Sequence, residues 1–68
     1  MRLDIEVDRE EDGRFIAEVP AIPGAMAYGQ TREEALTRVQ AMALRVLADR
    51  LEHGESIPAV VETFLVAP

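Results

Sequence analysis

Sixty-eight residues make one small domain with a modest core, of the size that commonly relies on disulfides, a metal or a partner subunit. The chain has no cysteine and one histidine, which excludes disulfides, thiolate metal sites and an ordinary zinc site, and so favours oligomerisation as the staple. With 13 acidic and 7 basic residues the formal net charge is −6, a balance against nucleic-acid phosphates and in favour of a basic protein partner.

The N-terminal stretch alternates Met1, Leu3, Ile5 and Val7 with Arg2, Asp4, Glu6 and Asp8, the period-two pattern of a strand with one buried and one wet face. It lacks the continuous apolar run of a signal peptide, and no segment reaches the ~20 apolar residues of a membrane span. A cytoplasmic protein is therefore expected. Arg9 to Gly13 reads as a turn in which Asp12-Gly13 signals a hairpin.

Alternation then resumes, with Phe15, Ala17 and Val19 on one face and Arg14, Ile16 and Glu18 on the other, so the first two strands should pair antiparallel. Pro20 ends the ladder because it has no N–H to donate. Pro23-Gly24 predicts a type II turn, and Ala25 to Gly29 a short third strand.

Thr31 and Glu34 have the spacing of a capping box, and the helix they open should run to about Glu52, with His53 at its end and Gly54 beyond the cap. Ala35, Leu36, Val39, Met42, Ala43, Val46 and Leu47 form its apolar stripe. Glu34 with Arg38, and Arg45 with Asp49, are candidate i,i+4 ion pairs. Leu44 and Leu51 fall outside the stripe. Either they are stray surface leucines or they mark a subunit contact, and the small size of the chain favours the contact. Val60 to Val66 reads as a last strand that is apolar on both faces, with Phe64 a further candidate for the contact. Residues 1–68 thus form a single α+β domain of two layers, β-β-β-α-β, an antiparallel sheet with one long helix on one face.

The run from Asp12 to Leu36 resembles the N-terminal domain of the HicB family of antitoxins. The matching positions are Asp12 and Gly13, Phe15, Val19 and Pro20, Ile22, Pro23 and Gly24, Gly29 and Thr31, and Glu34 and Ala35, about a third of the chain. Ala25 and Gln30 depart from the pattern. The resemblance implies a partial RNase H-like fold that docks on a small basic HicA-type mRNA interferase and blocks RNA cleavage. Full-length members usually add a C-terminal helix-turn-helix or ribbon-helix-helix segment. The chain given ends at Pro68, so direct DNA binding is not expected of it.

Asp12, Gly13, Pro20, Pro23, Gly24, Gly29, Thr31 and Glu34 are read as residues that specify the fold. Asp4, Glu6, Asp8 and Glu18 are the candidate partner-binding residues, on an outward sheet face that could meet a cationic surface. The bland reading of the same carboxylates is the solvated side of a two-layer domain. Catalysis is not expected. Carboxylates at i, i+2 and i+4 of one strand spread over ~13 Å, whereas a two-metal nuclease needs its ions ~4 Å apart. No cofactor or metal is expected. An orphan, self-associating protein-binding module is the alternative to the antitoxin.

Overall fold

The computed structural model describes residues 3–55 and 57. Three strands precede one helix: β1 (Glu6–Arg9), β2 (Phe15–Glu18), β3 (Met26–Gly29) and α1 (Arg32–Glu52). The strands form an antiparallel sheet in the order β1-β2-β3 with α1 across one face, the α+β layering expected. The predicted last strand, Phe64 included, lies outside the described residues.

β1 starts later than the alternation suggests. In its register Glu6 faces Glu18, so the next hydrogen-bonded pair would join Asp4 to Pro20. Proline has no N–H to give, and the ladder stops there. At its other end β1 includes Arg9, which the sequence had assigned to the turn. The hairpin loop comprises the three residues between Glu10 and Arg14, whose backbones bond at 2.7 Å. Gly13 takes φ +91°, the left-handed position that such a loop requires. Gly24 takes φ +92° after Pro23, and Ala25 N–H donates to Ile22 C=O at 3.0 Å, closing the predicted type II turn.

The helix is capped at both ends by its own sequence. Thr31 Oγ1 accepts from Glu34 N–H at 3.1 Å. The returning carboxylate of Glu34 reaches Gln30 N–H at 3.0 Å, one residue earlier than a standard capping box. At the C-terminus Gly54 N–H donates to Leu51 C=O and Glu55 N–H to Arg50 C=O, the two bonds of a Schellman motif. His53 Nδ1 lies 2.7 Å from Asp49 C=O, as expected of a group that satisfies a loose helix-end carbonyl. Thr31→Ala should lower stability by about 1 kcal/mol, read from urea denaturation, since it orphans one N–H in the first turn; an unchanged midpoint would show the cap to be redundant.

The core joins Ala17, Val19, Ile22 and Ala25 from the sheet side to Ala35, Val39, Ala43 and Leu47 from the helix. Half of these eight are alanines. The two layers therefore meet by close backbone approach more than by large side chains, and each larger residue carries a correspondingly larger share of the buried apolar area.

Candidate partner-binding face

Antiparallel pairing lines up the side chains of the face that α1 leaves uncovered. One row across the sheet is Glu6, Glu18 and Met26; the next is Asp8, Ile16 and Tyr28. Met26 is 47% and Tyr28 39% exposed, large for apolar groups on a small domain. Glu6, Asp8, Glu10 and Glu18 surround Ile16 and Met26 in a shallow depression of about 290 Å³. The sequence named Asp4, Glu6, Asp8 and Glu18. The structure brings Glu6, Asp8 and Glu18 together, while Asp4 sits off to the side, lining a separate depression with Leu3, Glu6, Pro20 and Ala21.

Glu6 and Glu18 stand directly opposite each other, an arrangement that opposes sheet formation because like charges repel at this spacing. Ile16 and Met26 were not singled out by sequence. Ile16 looks like an ordinary out-facing strand residue, and Met26 lies in a strand of small residues; only the register puts both beneath the carboxylates. The arrangement suits a long cationic side chain, whose methylenes can lie on Ile16 and Met26 while its head meets the acids.

Around this depression the remaining charges are tied up locally. Arg14 donates from Nε to Asp12 Oδ2 at 2.7 Å, and its guanidinium lies 4.5 Å over the Tyr28 ring. The Arg14 backbone N–H also donates to Asp12 Oδ1 at 3.0 Å, and chiefly this bond holds the Asp12 carboxyl below its ordinary value. Arg9 lies over Phe15 at 5.6 Å. On the helix, Glu34 and Arg38 form the expected pair at 3.1 Å. The expected Arg45–Asp49 pair does not form: Asp49 faces His53 at 3.5 Å, four residues toward the C-terminus.

The fold-specifying residues occupy turns and caps. Asp12 and Gly13 close the first hairpin; Pro20, Pro23 and Gly24 bracket the second connection; Gly29, Thr31 and Glu34 join β3 to α1. Leu44 and Leu51 are 62% and 45% exposed, outside the buried stripe as the spacing suggests. Leu44 also borders an apolar groove of about 280 Å³ with Leu3, Ile5, Val19 and Leu47. Among the described residues there is no cluster of three or more His, Cys, Asp or Glu able to hold a metal, and no helix long and apolar enough to cross a membrane.

Comparison with curated proteins finds similarity to UPF0150 protein Ta0767 of Thermoplasma acidophilum, 31% identical over 58 residues, covering 85% of this chain and 84% of that relative. No family model matches the chain, and no solved structure matches it.

Proposed function

The chain belongs to the UPF0150 family, and we propose that within it this protein is a HicB-like antitoxin domain that works by binding: it covers the RNA-cleaving surface of a small basic HicA-type mRNA interferase. The observation that carries the reading is the depression on the uncovered sheet face, where Glu6, Asp8, Glu10 and Glu18 ring Ile16 and Met26. A toxin that holds RNA must present arginine and lysine side chains. Those side chains meet, on this face, both carboxylates and apolar support, in competition with phosphate. The opposition of Glu6 and Glu18 fits the same role, because a bound cation relieves a repulsion that the free protein retains.

The test is co-expression with whatever protein is encoded next to this chain, followed by co-purification and an RNA-cleavage assay. A stable complex with suppressed cleavage is expected, and Glu6→Arg with Glu18→Arg should release the toxin. Glu18→Gln should separate binding from folding: the free domain gains about 0.5 kcal/mol as the cross-strand repulsion is removed, while inhibition weakens. Retained inhibition in the charge-reversed variant would sink the acidic-face reading.

A second reading rests on Leu44 and Leu51, whose exposure favours self-association on the helix flank. Under it the protein is an orphan homo-oligomeric module. A mass by light scattering that drops to the monomer on Leu44→Asp would support it, and an unchanged mass would remove the helix flank as the contact.

A further inference from the structure

The two edges of the sheet are guarded differently. β1 carries Glu6, Asp8 and Arg9 among its four residues, whereas β3, Met26-Ala27-Tyr28-Gly29, has neither charge nor proline. Charges and prolines on an edge discourage the addition of another strand, so among the described residues β3 is the edge left open to pairing. Val19 N–H donates to Ala25 C=O at 3.0 Å, and the same register pairs Ala17 with Ala27 and Phe15 with Gly29. The backbone groups of Met26 and Tyr28 therefore point away from β2.

Two of those four groups are already satisfied. Met26 N–H donates to Gly24 C=O at 3.1 Å, and Tyr28 C=O accepts from Arg38 Nη1 at 3.0 Å. Met26 C=O and Tyr28 N–H have no partner among the described residues. They form the set that a single residue of a parallel neighbour satisfies, donating to the first and accepting from the second. An antiparallel neighbour opposite Tyr28 would need its C=O as well, and would have to displace Arg38.

Beside this edge, between β3 and α1, runs an open groove of about 630 Å³ that includes Ala27, Ala41 and Met42 and is bordered by Arg38 and Arg45. Arg45 has no ion-pair partner among the described residues, in a chain whose net charge is −6. We infer that the β3 edge accepts, in parallel orientation, an extended segment of a partner protein in which one acidic residue is flanked by apolar ones. The acidic residue lies alongside Ala27, so its side chain falls on the helix side, toward Arg45 and Arg38. Its neighbours lie beside Met26 and Tyr28 on the outer face. The inference stands on the β3 edge and its two arginines, independently of the acidic face and of any toxin.

The test is an NMR titration of the ¹⁵N-labelled 68-residue chain with the peptide acetyl-Thr-Val-Glu-Val-Thr-amide and its Gln and Lys counterparts. Shifts should concentrate on the amides of residues 26–29 and on residues 38–45. The Glu peptide should bind about three- to fivefold tighter than the Gln peptide, the worth of one exposed ion pair. Arg45→Glu should invert the order so that the Lys peptide binds best, while Arg32→Glu, at the exposed start of α1, should leave it unchanged. Equal affinity for the three peptides, shifts centred on Glu6, Asp8 and Glu18, or no shifts at millimolar peptide would each overturn the inference. So would a dimer, seen without peptide, that Arg45→Glu dissociates, because the occupant would then be a second copy of this chain.

Discussion

Gly29→Ala is expected to destabilise the domain by about 3 kcal/mol, which for a chain this small is enough to leave a large unfolded fraction. A Cβ at residue 29 would run into the Ala35 backbone nitrogen, with Ala35 Cα and the Glu34 carbonyl carbon each 3.0 Å away. All three are main-chain atoms of the first turns of α1, so no side chain can swing aside. The helix must lift from β3, which also breaks the Arg38 bond to Tyr28 C=O. Gly24→Ala is the informative control. Gly24 has φ +92° but open space around its Cβ position, so alanine there costs only left-handed backbone strain, about 1 kcal/mol. Urea denaturation of both variants separates the two causes. Equal losses would mean that the helix accommodates a methyl group at residue 29 by a small shift.

Leu47→Ala should cost about 3 kcal/mol, whereas Leu44→Ala, three residues earlier on the same helix, should cost under about 0.5 kcal/mol. Leu47 is 4% exposed and shares one end of the core with Val19, Ala43, Leu3 and Ile5, so shortening it leaves a void beside an already open groove. Leu44 is 62% exposed and loses little when shortened. For a domain of this size each kcal/mol shifts the melting temperature by about 4–8 °C, so the contrast is visible by circular dichroism. A Leu44→Ala loss that matches Leu47→Ala and grows with protein concentration would locate a subunit contact on that flank.

Features decided by a few adjacent residues were legible in the sequence. Thr31 and Glu34 announced the helix start, Gly54 its end, and Pro23-Gly24 the second turn, because each acts through bonds closed within five residues. The buried stripe of α1 was equally legible, since 3.6-residue periodicity is a property of the chain itself. Features set by register were not. That β1 begins at Glu6 follows from Pro20 falling opposite Asp4, which requires knowing the pairing. The same register decides that Glu18 confronts Glu6 and that Met26 joins their row, so Asp4 was included in the candidate face and Met26 and Ile16 were not. Gly29 is marked by sequence only as one of the fold-specifying residues, whereas its deeper constraint is Ala35 folding back over it. Arg45 was assigned to Asp49 by spacing alone, but Asp49 faces His53 instead.

The order β1-β2-β3 places every strand beside its neighbour in sequence, and α1 starts three residues after β3 ends. Within the described residues the sheet therefore has low contact order. Each pairing closes only a short loop, and little chain entropy is lost before the next contact is made. The hairpin at Gly13 can form first, β3 can zip onto it through the Gly24 turn, and the capped helix needs only to settle onto a sheet already present. Such a chain can reach its folded state soon after synthesis. If the protein restrains a harmful partner, as proposed above, rapid folding shortens the interval during which that partner acts unopposed.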